Sequence, residues 1–132
     1  MDMEGWLALR KQSQAFWTQS QADFTTASTL LDAGIYYASV FFSQQAAEKA
    51  LKAVGISSKQ RTPRGHHLIQ IANSVEAPID VMNASADLMG QYLASRNPDA
   101  GDGVPAQFYD RASAQKYLRS AEIVVKWARS SF

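Results

Sequence analysis

The chain has 132 residues, 46% hydrophobic and 19% charged, with a net charge of +1 and no cysteine. That length gives one domain, residues 1–132, with room for a sizeable core. The near-balanced charge excludes an overall field for nucleic acid or anionic membrane, and the absence of cysteine excludes disulfides, thiolate metal ligands and a cysteine nucleophile.

The cysteine-free composition fits a reducing cytoplasm. The acidic start Met1-Asp2-Met3-Glu4 leads into no apolar segment of the kind a signal peptide has. No apolar run approaches the ~18 residues that cross a bilayer. Abundant alanine, without alternating β-branched runs, points to an all-α fold of about five helices.

The first helix is predicted from about Gly5 to Ala33, with Phe16, Ser20, Phe24, Ala27 and Leu31 at three- and four-residue steps. The Gln- and Ser-rich remainder reads as a solvated face, and Gly34 as a left-handed cap. A second helix is expected from about Tyr36 to Val54, stopping at Gly55. The short link predicts an antiparallel pair. Residues 56–65 read as a loop, broken by Pro63 and Gly65. A third helix is placed near His66 and carries Leu68, Ile71, Ala72 and Val75. A fourth runs from about Asp80 to Ser95 with Val81, Leu88 and Tyr92 on one side, and Met82, Met89 and Leu93 beside them. Residues 96–105, with two Pro and two Gly, read as a plain loop. Asp110 is a good N-cap for a fifth helix, Arg111 to Ser130. No repeat or sustained coiled-coil heptad is visible.

The second helix is the most informative. Val40, Phe42, Ala46, Ala47, Ala50, Leu51, Ala53 and Val54 cover more than half its circumference, which places it centrally in a bundle. Phe41, Gln45, Glu48 and Lys52 form one narrow column, with Lys49 beside it. Such a column must face solvent, a groove or a partner, because an unpaired buried charge is costly. Glu48 and Lys52 suit an exposed i,i+4 pair. Alternatively, Glu48 orients an arginine from elsewhere, with Arg96 the candidate.

Residues 59–67, Lys-Gln-Arg-Thr-Pro-Arg-Gly-His-His, are the basic cluster of the chain. With the next helix N-terminus they suit a phosphate, or form a solvated loop. Adjacent His66 and His67 diverge by about 100° on a helix, a poor metal pair; one of them capping or packing at the helix start fits better. Arg96, before Asn97-Pro98, either satisfies terminal carbonyls or binds phosphate bidentately. Asp99, Asp102 and Asp110 read as solvated rather than as Mg²⁺ ligands. Trp6, Trp17 and Trp127 suit packing of the first and last helices, or a dimer contact. No cofactor fingerprint, nucleophile elbow or zinc motif is present.

Ala22-Asp23-Phe24, Ala27, Leu30-Leu31, Gly34-Ile35-Tyr36, the run Phe42-Ser43-Gln44-Gln45-Ala46-Ala47-Glu48-Lys49-Ala50-Leu51-Lys52-Ala53, His66-His67-Leu68 and Arg96-Asn97-Pro98-Asp99 occur in that order. This order resembles the HEPN domain (higher eukaryotes and prokaryotes nucleotide-binding) over nearly the whole chain, and the Gln-Gln-Ala-Ala-Glu-Lys run is its most specific part. The resemblance implies an up-and-down helical bundle, commonly a homodimer, in a small bacterial or archaeal protein. It implies a partner, a minimal nucleotidyltransferase, in a toxin–antitoxin-like pair, and nucleotide or RNA as ligand. On that reading Arg96, Glu48, Lys49, Lys52, His66 and Arg64 contact or orient the phosphate, without a cofactor or metal. Tyr92 and Tyr109, near the Arg96 loop, are hydroxyls that a nucleotidyl group could modify. The family's ribonuclease branch follows the Arg and a polar residue with a His. Asn97 supplies the polar residue, but no His stands between residues 99 and 114. An unperturbed Asp, with a pKa near ~3.9, is a poor proton donor at neutral pH. The expectation is therefore a non-catalytic member.

Overall fold

The computed structural model describes residues 2–59, 63–98 and 103–131. Helix α1 spans Met3–Asp32, α2 Tyr36–Lys59, α3 Leu68–Ser74, α4 Ile79–Met89, α5 Gln91–Ala94, α6 Pro105–Phe108 and α7 Arg111–Ser130. The protein is an all-α helical bundle, with no strand among the described residues. As the apolar circumference of α2 predicts, this helix is central and touches each of the others. Leu51 on α2, Leu68 on α3, Leu88 on α4 and Val124 on α7 meet in the main core, against which Trp17, Phe24 and Trp127 pack. Among the described residues, no helix is long and apolar enough to cross a membrane.

Helices α1 and α2 form an antiparallel hairpin. Gly34 turns the chain with φ +79°, and the Ile35 N–H donates to the Leu30 carbonyl at 2.9 Å, closing the end of α1. Across the pair, Ser13 Oγ donates to the Ala53 carbonyl at 2.9 Å and Ser20 Oγ to the Ala46 carbonyl at 2.7 Å. Ser39 Oγ returns the contact to the Ala27 carbonyl at 2.7 Å. These partners step by seven residues along both helices, a short heptad of small residues. Hydroxyl-to-backbone bonds across two helices require a close approach, which only small side chains permit. Ser20 is buried, as its place on the recurring face predicts, and so is Ser13, where the composition suggested a wet face.

Helix α2 continues through Gly55 to Lys59 rather than stopping there. A Cβ at residue 55 would lie 2.4 Å from Pro63 Cγ. Glycine here makes room for the returning loop instead of ending the helix. His67, not His66, caps α3, accepting the Gln70 N–H at 3.2 Å. The expected fourth helix is interrupted at Gly90, giving α4 and α5. The single turn α6 starts at Pro105, the last residue of the expected loop, at a first-turn position that needs no N–H donor. Gln60, Arg61, Thr62, Asp99 and Asp102, with the side chains of Lys59 and Leu93, lie outside the described residues.

Helix α7 has the expected bounds and its Asp110 cap. The Ser113 N–H donates to Asp110 at 2.8 Å and holds that carboxyl below its ordinary range. Just before it, the buried Tyr109 donates its hydroxyl to Gln91 Oε1, tying the start of α7 to α5. Burial raises the Tyr109 phenol from 10.0 to about 12. Folding thus favours the protonated phenol. Its stabilising effect is whole below pH 10 and falls as the pH climbs toward 12. An ultraviolet titration at alkaline pH should show a late phenolate transition near pH 12 that Tyr109→Phe removes; an unchanged curve in that variant would contradict the assignment.

Candidate functional site

The polar residues of the central motif form one hydrogen-bonded network. At its outer end, Lys49 Nζ meets Asp23 Oδ2 at 2.7 Å, and Gln19 Nε2 donates to the other Asp23 oxygen at 3.0 Å. Lys49 also donates to Gln45 Oε1 at 3.2 Å, and Gln45 Nε2 donates to Gln44 Oε1 at 2.6 Å. Gln44, fully buried, donates to Glu48 Oε1 at 3.3 Å. Two of the steps along α2 join residues four apart, the spacing at which side chains on a helix meet, and the long amide side chains of Gln44 and Gln45 bridge the third.

Glu48 is the hub. Its side chain is only 4% exposed, and Lys52 Nζ approaches Oε2 at 3.3 Å. His66 Nδ1 stands 2.9 Å from both carboxylate oxygens, the ring nitrogen donating to the carboxylate. The charge is thus buried but compensated, as its burial demands. His66 reaches it from the loop ahead of α3, which Gly55 allows to pass close to α2.

The His66 ring stacks on Tyr92 of α5, with centroids 4.3 Å apart and planes 13° from parallel. The same Tyr92 ring carries the Arg96 guanidinium 4.1 Å from its centroid, and Phe41 of α2 lies 5.5 Å from that guanidinium. An array therefore runs from Glu48 through His66 and Tyr92 to Arg96, with Phe41 flanking. The expected direct Glu48–Arg96 pairing is not formed. Glu48 holds His66 and Lys52, and aromatic faces hold Arg96.

The structure brings Arg96, Glu48, Lys52 and His66 together but directs Lys49 elsewhere. Its ammonium is committed to Asp23 on α1, so Lys49 supports the network rather than lining a groove. Arg64 is exposed on the approach to His66. At the N-terminus of α3 the His67 ring already accepts the Gln70 N–H, one of the donors an anion there would use. Tyr92 and Phe41 are the contributors whose role spacing did not reveal. Phe41 belonged to the polar column and Tyr92 lay four residues before Arg96, which is the only hint that an aromatic surface awaited the cation. Tyr109, with its hydroxyl committed to Gln91, is poorly placed as a modification acceptor.

Fold and site together define a helical-bundle domain whose central helix carries a Gln-Gln-Ala-Ala-Glu-Lys network linked to an arginine beyond α5. The sequence model of the HEPN domain matches residues 13–131. The chain belongs to the HEPN family. It is similar to TT1696 of Thermus thermophilus, at 26% identity and a TM-score of 0.84, over 92% of this chain and 98% of that one. ST0689, an archaeal HEPN homologue, is 27% identical with a TM-score of 0.78, over 90% and 96% of the two chains. A HEPN domain protein of Thermotoga maritima is 25% identical with a TM-score of 0.70, over 88% and 95%. No curated protein matches the sequence.

Proposed function

We propose that the array around Arg96 binds the phosphate of a nucleotide or of RNA without cleaving it. The observation that carries this reading is the state of Arg96. The residue is exposed, its guanidinium rests on Tyr92 at 4.1 Å, and no carboxylate pairs with it among the described residues. Stacking fixes the plane of a guanidinium while leaving its N–H edges for a bidentate anion. His66, stacked on the same Tyr92 ring, sets an imidazole beside it, and Lys52 meets Glu48 at 3.3 Å. Glu48 sets the position of both.

Family resemblance supplies the wider setting. The chain acts in the cytoplasm as a homodimer, paired with a minimal nucleotidyltransferase in a toxin–antitoxin-like system. A second reading, a ribonuclease with a degenerate motif, draws on His66, the imidazole that shares the Tyr92 ring with Arg96. Calorimetric titration of ATP and of a short oligouridylate against the wild type and Arg96→Ala tests the first reading. Loss of one bidentate charged contact should weaken binding by about tenfold or more. Equal affinity in the two proteins would sink it. RNA incubated with the purified protein should stay whole; cleavage that His66→Ala abolishes would favour the ribonuclease. A wild type that binds neither ligand yet co-purifies with the nucleotidyltransferase is a partner subunit alone.

A further inference from the structure

We propose that the cavity between the start of α1 and the end of α2 is a binding site for a small monocarboxylic acid with an apolar body. This site is separate from the Arg96 array. From Phe41, beside Arg96, to Ile56, in the cavity wall, α2 rises about 22 Å.

The cavity has its origin in the heptad that joins the two helices. Ser20 and Ser13, seven residues apart, sit against the Ala46 and Ala53 carbonyls. Seven residues further toward the N-terminus, the same face of α1 carries Trp6. The close approach that serine permits cannot continue past an indole. A cavity of about 300 Å³ lies at that end of the pair, with Trp6 and Leu9 of α1 and Ile56 of α2 as its apolar wall. Trp17 and Trp127 pack against the core, whereas Trp6, on the inward face of its helix, is 44% exposed. The family match begins at Ser13, so Trp6, Leu9 and Arg10 lie outside it.

The polar lining sets the class of ligand. Arg10 is the one charged residue among the described residues that line the cavity, beside Ser13 and Gln14. Its guanidinium lies 5.4 Å from the Trp6 ring centroid, and no carboxylate pairs with it among the described residues. A guanidinium seated on an indole keeps its N–H edges for a carboxylate. Gln14, exposed one turn further on, adds an amide donor. The anion belongs on α1, because the carboxyl end of α2 carries the negative end of its helix dipole. The tail then lies against Trp6, Leu9 and Ile56, out of water. Ligand sites run from about 300 to 1,000 Å³, so this one suits a small molecule. One guanidinium balances one carboxylate; a di- or triphosphate would leave charge unmatched beside apolar walls.

The test uses the full chain, with octanoate as probe and octylammonium as the same tail with the opposite charge. Nuclear magnetic resonance follows the Trp6 indole N–H, assigned from Trp6→Phe, and the Arg10 Nε–H. Millimolar octanoate should shift both signals with one dissociation constant, and octylammonium should shift neither. Arg10→Met keeps an apolar stem without the charge, and Gln14→Glu sets a carboxylate in the lining; both positions are exposed, so the fold stays intact. Each should weaken octanoate binding by about tenfold, and Arg96→Ala should leave it within about twofold. Unmoved Trp6 and Arg10 signals, an equal response to octylammonium, or an Arg10→Met variant that binds as the wild type does would overturn the proposal. So would octanoate binding that Arg96→Ala removes, which would place the carboxylate at the array instead.

Discussion

Glu48→Ala should lower the free energy of unfolding by about 3 kcal/mol, read as a reduced urea midpoint. The carboxylate is 4% exposed and serves Lys52, His66 and Gln44 together. Three effects compete in the variant. Removing the one buried stem methylene beyond Cβ costs about 1 kcal/mol. Leaving the fully buried Gln44 amide without its acceptor costs about 1–3 kcal/mol. Leaving the Lys52 ammonium, 12% exposed, without its counter-charge adds the penalty of an uncompensated cation. The long lysine stem lets that ammonium turn toward water, which holds the total near the low end of the range for broken buried pairs. Glu48→Gln keeps the volume and one acceptor, so it should cost about half as much. Equal stability of the alanine variant and the wild type would mean that the network is ornamental.

Ala46→Leu should cost about 3 kcal/mol, because overpacking the α1–α2 contact opens every cross-helix bond of the pair. Ala46 is fully buried and its carbonyl takes the Ser20 hydroxyl at 2.7 Å. A leucine there has no void to enter, so the helices separate and the Ser13 and Ser39 contacts stretch with them. In a chain of this size that corresponds to a melting temperature lower by about 10 °C. Ser20→Ala is the control. It deletes one hydroxyl while preserving the spacing, and should cost about 1 kcal/mol or less. If the two variants melted together, the close approach would not be what holds the hairpin.

Much of this was legible in the chain. The apolar circumference of α2 is a property of one helix, and it predicted the centre of the bundle. Asp110 followed by an amphipathic run gave the bounds of α7 for the same reason. What escaped were relations between elements. Gly55 reads locally as a stop, and only the position of Pro63 shows that it is a passage. Ser13 looks like part of a wet face until the carbonyl of Ala53 stands opposite it. The polar column was correctly drawn, yet spacing along α2 does not say which neighbour each member meets. Lys49 turned to Asp23 on α1, while Glu48 turned to His66. The arginine expected to pair with Glu48 lies one aromatic ring further on.

The claim on which the rest depends is that Arg96, seated on Tyr92 and linked through His66 to Glu48, is where an anionic ligand lands. Nuclear magnetic resonance observes both groups directly, through the Arg96 side-chain Nε–H and the His66 ring signals during titration with ADP. The account predicts that both shift together with one dissociation constant, and that Glu48→Gln weakens the response of both. Fixed Arg96 and His66 signals, with saturating shifts elsewhere on the bundle, would contradict it.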